Sequence, residues 1–558
     1  MKTTISKLFA GAALAVVTFA TGNAQTNLGA SCGCPTPVSS RPTVLLSTLA
    51  TNGGAGDGEL IANNVILDCS KTWILDKKIY VAPGKTLTIL PGTVIKGRDF
   101  PGAPANATAL TVEVGGKIFA SGTADCQIVF TTEADNLDGT YSVSNTGKWG
   151  GLLVAGKATN NLTLAANGPF TAGSGNGRLC VADGLGTFEG FSSSNSKDQF
   201  GVNLSTGGVF DDNDNSGILK YVSIRHAGTA LSVGAEINSL TLGSVGRGTI
   251  IDHIEIVSAG DDGIEFFGGT VNVKYCSMLF GNDDNLDWDD GWQGKVQYIF
   301  VLQNQLGQGS PDNDNGFEAD ADDQKSNLLP RSHPVIYNAT IIGNGKTALT
   351  SDNSALAGIN AKELTEGEIY NSIIANFKTG FNMTKALGTR TGTSEAYHNW
   401  SNSLGNGSQS LKVKCNTFVG NVDGITVDKL SANVVAADNT QFTTTDLNNV
   451  VSSITGFNYA FAINGTTNAI SQQVDAVPNP ALSTTGCPVA PVDGFFNTAN
   501  YRGAFQSNGQ NWLSSWTYST LLGAVNGLQP CPTDINGDGV TNNSDFLQLL
   551  GQFGLNCN

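Results

Sequence analysis

The feature that most constrains the fold of this chain is an internal repeat in the middle of the sequence. The segment from His253 to Phe267 aligns with the segment from Tyr275 to Asp289 at an offset of about 22 residues, which pairs Ile264 with Leu286. A third copy puts Phe317 at the same position. Repeats of short strands bury their inward side chains only by stacking on neighbouring copies. The repeat therefore predicts a parallel β-helix.

The rest of the chain has the same character. Segments such as Lys77–Gly97 alternate apolar residues with Pro-Gly turns, and glycine accounts for 69 of the 558 residues. No stretch with helical periodicity separates the strands until the last twenty or so residues. We predict an all-β chain: an N-terminal extension over residues 25–60, a parallel β-helix over residues 61–528 and a small C-terminal module over residues 529–558.

The N-terminus has the pattern of an export signal. Two lysines precede an apolar run from Leu8 to Ala20, and small residues follow. This pattern predicts a secretory signal peptide over residues 1–24. The run is shorter than the ~20 residues that span a bilayer. We expect a secreted protein without a transmembrane segment, located outside the cell, on its surface or in the periplasm.

Charge and cysteine content narrow the function further. The chain has 47 acidic and 30 basic residues, a net charge of −17, which argues against a nucleic-acid partner. Ten cysteines follow the signal segment, and an exported chain meets an oxidising compartment, so some disulfides are expected. The spacing of Cys32 and Cys34 favours loop cross-links over a zinc or redox pair.

The three repeat copies share an acidic motif. Its members are Asp261, Asp262, Glu265, Asp283, Asp284, Asp287, Asp314 and Glu318. The register stacks Glu265, Asp287 and Glu318 about one strand spacing apart, where like charges repel unless a cation bridges them or a proton stays bound. Three interpretations remain open: tight turns made by Asp, Asn and Gly, a calcium or ligand site, and paired carboxylates acting on a glycan.

The C-terminal segment has the spacing of a calcium loop. The oxygen ligands would come from Asp534, Asn536, Asp538, Val540, Asn542 and Asp545. Gly539 lies where such a loop turns sharply, and an aspartate at loop position 12 resembles dockerin repeats. Dockerins bind cohesin through two repeats and this chain has one, so we expect a calcium-stabilised module and not a cohesin partner. A disulfide between Cys531 and Cys557 would close it.

A larger resemblance covers most of the body. The segments that carry it are Pro91–Gly97, Trp149–Gly151, Asp214–Val222, Leu240–Gly243, Gly260–Gly294 and Tyr501–Phe505. They resemble a family of secreted right-handed parallel β-helix proteins common in Bacteroidetes, which have a pectin-lyase-like fold and mostly no assigned function. The resemblance implies one continuous right-handed parallel β-helix outside the cell, with no established catalytic residues.

Known enzymes of this fold offer a narrower comparison. Gly260-Asp261-Asp262 resembles the Gly-Asp-Asp segment of polygalacturonases, but the Gly-His-Gly and Arg-Ile-Lys segments of that family are missing. A pectate-lyase mechanism would need a cationic base, and Arg225 and Lys295 are the nearest in sequence; we interpret them as surface cations that balance the acids. We assign no catalytic residue.

Two functional classes follow. The first is a non-catalytic protein stabilised by calcium that binds glycans or other surfaces along its solenoid. The alternative is a polysaccharide lyase or glycoside hydrolase that uses the stacked carboxylates.

Overall fold

The computed structural model describes most of the chain between residues 25 and 526. The described residues are 25–52, 57–60, 64–103, 106–164, 179–192, 194–232, 235–303, 315–321, 328–345, 356–384, 396, 400, 410–422, 425–427, 447–451, 454, 456–478, 482–506, 512–513 and 516–526. The predicted signal peptide and the predicted calcium module lie outside them.

Two long sheets form the body. Sheet A has seventeen strands: Thr43–Leu45, Val65–Leu67, Thr72–Leu75, Thr86–Ile89, Val94–Gly97, Lys117–Ser121, Ile128–Thr132, Gly217–Arg225, Ile250–Val257, Asn272–Leu279, Lys295–Leu302, Val335–Ile342, Gly367–Tyr370, Ile373–Ala375, Leu411–Lys414, Thr417–Val419 and Val450–Val451. Sheet B has twelve: Thr51–Asn52, Asp57–Leu60, Lys78–Val81, Ala109–Val112, Gly151–Ala155, Leu240–Gly243, Ile264–Phe267, Leu286–Asp289, Phe317–Ala319, Ala357–Ala361, Thr379–Met383 and Ile425–Val427.

The chain alternates between these sheets, and most coils add one strand to sheet B and either one long or two short strands to sheet A. Neighbouring strands are parallel in sheet A, and in sheet B the strands from Asp57–Leu60 onward are also parallel. The register pairs Ile254 with Cys276 and Ile264 with Leu286, as the repeat predicts. The prediction of an all-β parallel β-helix is confirmed.

The longer strands of sheet A turn a corner within themselves. One residue in each takes a left-handed backbone conformation, with φ between +49° and +61°. These residues are Tyr221, His253, Tyr275, Tyr298 and Asn338. Such conformations are uncommon for residues other than glycine. Because these residues occupy equivalent positions in successive coils, each of these coils has a sharp corner there. At this corner the rings of Tyr221, His253, Tyr275 and Tyr298 stack in a column, with successive centroids 4.3, 4.5 and 4.9 Å apart.

The core follows from strand periodicity. Side chains at alternate positions point into the solenoid, because successive residues of a strand face opposite sides. Ile264, Phe266 and Leu286 are fully buried there, and Trp288 is nearly so. The core is continuous along the coils.

A small antiparallel unit covers part of sheet B. Residues 179–203, called here the hairpin unit, contain the strands Leu179–Ala182, Leu185–Thr187 and Gln199–Gly201 and the 3-10 turn Ser196–Asp198. The rings of Phe188 and Phe200 pack against the outer face of sheet B beside Phe267.

The chain after the last coils folds back over sheet A. The described residues between 454 and 526, called here the strap, contain short strands and the α-helix Tyr518–Leu522. The short strands of the strap are Ala462–Ile463, Ile470–Gln472, Val474–Asp475 and Val525–Asn526, and a further hairpin lies at Ala230–Ser232 and Ala235–Glu236. Phe505 and Leu513 pack with Phe300 and Leu279 in a second apolar cluster, between the strap and sheet A.

Three disulfides join described residues: Cys32–Cys126, Cys34–Cys69 and Cys415–Cys487. They confirm the expectation of disulfides and the interpretation of Cys32 and Cys34 as cross-links. The parallel pairing already begins at Thr43–Leu45, so the solenoid reaches upstream of the predicted boundary at residue 61. Among the described residues, no helix has the length and apolar character needed to cross a membrane.

Candidate functional site

The last acids of the three repeat copies lie on the outer face of sheet B, where strands of successive coils stack in register. Glu265 pairs with Asp287, and Asp287 pairs with Glu318. Thr241 and Asn360 continue the column at its two ends. The three acids therefore lie on adjacent coils of one face, as the repeat predicts.

A second column, at the turn before each sheet B strand, is a ladder of hydrogen bonds. Asn238 Oδ1 accepts from the Asp262 backbone N–H at 3.2 Å, and Asp262 Oδ1 accepts from the Asp284 N–H at 3.0 Å. Asp284 Oδ1 accepts from the Asn315 N–H at 2.5 Å, and Asn315 Oδ1 from the Ala357 N–H at 3.0 Å. The turn interpretation thus accounts for one oxygen of each aspartate. Since two asparagines fill the same position, the ladder itself does not require a charge.

Two overlapping sets of carboxylates meet between the columns. Oxygens of Asp261, Asp262 and Asp283 lie within 4.8 Å of one another, and so do oxygens of Asp262, Glu265 and Asp287. We call these five residues the carboxylate cluster. Ca²⁺ takes six to eight oxygen ligands at ~2.3–2.6 Å, so oxygens that share one ion lie within about 5 Å of each other. The spacing and the donor atoms of each set are therefore compatible with a shared Ca²⁺ ion.

Burial and the charges of nearby carboxylates raise the pKa values of three members of the cluster. Burial raises the pKa of Asp262 well above its ordinary value, and the charges of Asp261 and Asp287 add to the rise. Burial and then Glu189 raise the pKa of Asp261, and burial and then Glu318 raise the pKa of Asp287. These carboxyls therefore favour a bound proton or a bound cation over full ionisation.

A lysine balances the acids at the far end of the column. Lys362 Nζ lies 2.8 Å from Glu318 Oε2 and 3.3 Å from Asp320 Oδ2. Burial alone would lower the pKa of Lys362, but Asp320 and Glu318 raise it well above its ordinary value. By contrast, none of the lysines or arginines that the structure describes forms an ion pair with Asp261 or Asp262.

Three residues of this face were not predicted from the sequence. Asn238 begins the ladder, and Lys362 and Asp320 form the ion pair beside Glu318. The signal was present, because the strands Leu240–Gly243 and Ala357–Ala361 continue the repeat on either side of the recognised copies. The outward residues of these two strands, Thr241 and Asn360, are not acidic, so an alignment based on acidic positions does not detect the strands.

The interpretation of Arg225 and Lys295 as cations that balance the cluster is wrong. Arg225 is only 2% exposed and lies on sheet A, where its guanidinium is 3.7 Å from Glu255. Lys295 also belongs to sheet A and forms its ion pair with Asp493 of the strap at 2.5 Å. Arg225 is therefore paired within sheet A, with the next coil, and Lys295 is paired with the strap.

Other predicted site residues lie outside the described residues. They are Asp314 of the acidic motif and Cys531, Asp534, Asn536, Asp538, Val540, Asn542, Asp545 and Cys557 of the C-terminal segment. The calcium loop and its disulfide stay predictions.

Comparison with known proteins assigns the body to a family. The family described as pectate-lyase like beta helix domain matches residues 58–479. Searches of curated proteins and of solved structures gave no match. The matched range spans nearly all coils of both sheets and includes the carboxylate cluster. The chain therefore belongs to the pectate-lyase-like β-helix family.

Proposed function

We propose that this protein is an extracellular, non-catalytic glycan-binding β-helix whose carboxylate cluster binds calcium. The observation that carries the proposal is the convergence of Asp262, Glu265 and Asp287 with Asp261 and Asp283 in two sets of oxygens, each within 4.8 Å. A cation at this point would relieve the repulsion that helps to raise the pKa values of Asp261, Asp262 and Asp287.

Family membership supports the glycan part of the proposal, since a pectate-lyase-like fold is compatible with polysaccharide binding. The three disulfides agree with a location in an oxidising compartment. The negative net charge disfavours nucleic acid.

The burial of the cluster favours a structural cation over catalysis. Asp262 is 8% exposed and Glu265 is 5% exposed, and each has an oxygen engaged in a hydrogen bond with a neighbouring turn. A glycosidase or lyase must bring its carboxylates to the sugar. The alternative, a polysaccharide lyase or glycoside hydrolase, predicts release of reducing or unsaturated sugars from a polysaccharide panel.

Calcium titration of the full-length protein by calorimetry tests the proposal. The background variant Asp534→Ala/Asp538→Ala removes ligands of the predicted C-terminal loop, so any remaining calcium site belongs to the body. Adding Asp262→Asn and Asp287→Asn should weaken that site at least tenfold, whereas Asp211→Asn, on an exposed turn, should leave it unchanged. A background variant that binds no calcium would refute the cluster as a metal site.

The C-terminal loop is a second calcium site in this proposal. If it is correct, the wild type binds one more calcium ion than the background variant. A non-reduced digest analysed by mass spectrometry should also contain a fragment with Cys531 bonded to Cys557. Finding Cys557 free, or bonded to a cysteine of the body, would contradict the closed module.

A further inference from the structure

A surface cleft of about 380 Å³ lies close to the backbone of Gly260 and Asp261, where the carboxylate cluster begins in the sequence. Its lining comes from three segments that are far apart in sequence. The lining residues are Asp99, Phe100, Pro101, Gly102, Ala107, Gly147, Lys148 and Thr229. The volume is in the range of small-ligand pockets, ~300–1,000 Å³.

Close backbone packing joins the cleft to the cluster. A Cβ atom on Gly260 would lie 2.6 Å from the Cα atom of Gly147, and a Cβ atom on Gly228 would lie 2.9 Å from the backbone nitrogen of Asp261. Gly147 lines the cleft, and Thr229 follows Gly228 directly. The cleft and the first aspartate of the cluster therefore lie on adjoining coils.

The side chains in the cleft provide a hydroxyl-binding set. Phe100 is partly exposed and offers an apolar ring, and Thr229 offers a hydroxyl group. Lys148 is a cationic donor and Asp99 an acceptor. Neither of these two charged side chains forms a hydrogen bond or ion pair with another described residue. An aromatic ring with a few polar groups is typical of small-ligand sites, and sugar units present both an apolar face and hydroxyl groups.

The charges of the cleft and of the whole chain favour uncharged sugars over acidic ones. The charges of Asp99 and Lys148 cancel within the cleft, and the whole chain has a net charge of −17, so a carboxylated sugar gains no net attraction there. The hydroxyls of a neutral sugar can donate to the Asp99 carboxylate and accept from the Lys148 ammonium group without that long-range repulsion. We propose that the Asp99–Lys148 cleft binds one unit of a neutral glycan. The inference rests on the proposed glycan-binding function and names its subsite.

Affinity electrophoresis of the full-length protein tests this subsite. The gels contain neutral polysaccharides (xyloglucan, galactomannan, mixed-linkage β-glucan) or acidic ones (polygalacturonate, alginate). We expect at least one neutral polymer to retard the wild type, and we expect Lys148→Ala and Phe100→Leu each to weaken that retardation at least tenfold. Lys117→Ala and Phe119→Leu, on sheet A, are the matched controls and should bind like the wild type.

The outcomes separate the two proposals. Unchanged retardation of Lys148→Ala and Phe100→Leu would overturn the cleft and leave glycan binding in place. Retardation by acidic polymers alone would overturn its preference for neutral sugars, and no retardation by any polymer would overturn both glycan claims. Calcium titration of the Lys148→Ala variant should match the wild type throughout, because the cleft contributes no cluster carboxylate.

Discussion

Asp262 combines two roles at one position. Its Oδ1 atom accepts the ladder hydrogen bond from Asp284, and its carboxylate also belongs to both sets of converging oxygens. Asn238 and Asn315 occupy the same ladder position with an amide. The fold therefore needs only an acceptor oxygen at position 262, whereas the proposed calcium site needs the negative charge of Asp262.

Substitutions at Asp262 should separate these roles. Asp262→Asn keeps an acceptor and removes a buried charge, so without calcium it should melt at a higher temperature than the wild type at pH 8. Asp262→Ala leaves the Asp284 N–H without its acceptor, which costs about 1–3 kcal/mol for a buried group. Thermal and urea denaturation in a chelator would measure both. Equal destabilisation by both variants would contradict the division of roles.

The sequence predicted the stacking of Glu265, Asp287 and Glu318, but not the hydrogen-bond ladder beside them. Alternation of apolar and acidic residues sets the register, which is why Glu265, Asp287 and Glu318 were found together. The sequence could not distinguish a hydrogen-bond ladder from a metal site, because an aspartate carboxylate is suitable for both. Lys362 was missed because it directly follows the strand Ala357–Ala361, whose outward residue Asn360 is not acidic, so the alignment on acidic positions did not reach that copy.

Among the secondary-structure elements, the strap is fixed to sheet A through a buried glutamate. Glu255 is 0% exposed and its Oε1 atom accepts from the backbone N–H of Tyr518 at 2.6 Å. Its Oε2 atom accepts from the Ser223 hydroxyl at 2.7 Å and lies 3.7 Å from Arg225, whose guanidinium is stacked on the Tyr518 ring. The start of the short helix in the strap is thus anchored on a charge of the solenoid.

Removing the Glu255 side chain should strongly lower the free energy of unfolding. Glu255→Ala leaves a buried arginine uncompensated, and breaking such a pair costs roughly 3–5 kcal/mol. Urea unfolding should record this loss, and limited proteolysis should cut the strap sooner. Glu133→Ala removes a half-exposed partner of Arg98 and should change stability by less than about 1 kcal/mol. Equal effects of the two substitutions would argue against the anchor.

The hairpin unit has a docking contact that responds to pH. Tyr80 donates to Asp198 at 2.8 Å, and Lys197 lies 2.6 Å from Glu59. Burial raises the pKa of Asp198 to about 6, and burial followed by the charge of Glu59 raises the pKa of Glu113 to about 7. The folded state therefore holds protons that the unfolded chain releases near pH 4.

These raised pKa values make the folded hairpin unit more stable at acidic pH than at neutral pH. The stabilisation is complete below the unfolded pKa values, near pH 4, and is lost as the pH rises through 6 and 7. Hydrogen exchange in residues 179–203, corrected for intrinsic rates, should be slower at pH 5 than at pH 8. Asp198→Asn with Glu113→Gln should flatten the difference. Faster corrected exchange at pH 5 would contradict the prediction.

Neither the strap nor the hairpin unit was predicted. Local patterns identify a strand and its outward face, but not what will cover that face. Glu255 alternates correctly as an outward residue, and only the return of the chain 263 residues later buries it. The sequence contains no local signal for such a long-range contact.

For the whole molecule, calcium should act as a pH-dependent stabiliser. An ion that binds only the folded state stabilises it by about 2.7 kcal/mol at 100 times its dissociation constant. Protons compete for the carboxylates, so the gain should be larger at pH 8 than at pH 5. Differential scanning calorimetry with calcium or chelator measures it, best in the Asp534→Ala/Asp538→Ala background. A calcium shift that grows on acidification would contradict carboxylate ligation.

The overall architecture was the most predictable feature. A solenoid is specified coil by coil, so a repeat recognised in two copies extends to its neighbours. Ile264, Leu286 and Phe317 fix both the period and the inward face, and their pairing agrees with the alignment. The start of the solenoid was placed too late, because Thr43–Leu45 lies in a segment without a recognisable repeat.

The positions of the three disulfides have a consequence for how the molecule comes apart. Two bonds lie at the first coils, and the third ties the strap to Cys415 near the last ones. A stack of similar coils would otherwise unravel from its free ends, one layer at a time. Because cross-links lie near both ends of the described stack, fraying from either end is restrained in the oxidised protein, and we expect melting to be a sharp event of the whole stack. Reduction would turn it into gradual unzipping, in which the central coils with their carboxylates are the last to open.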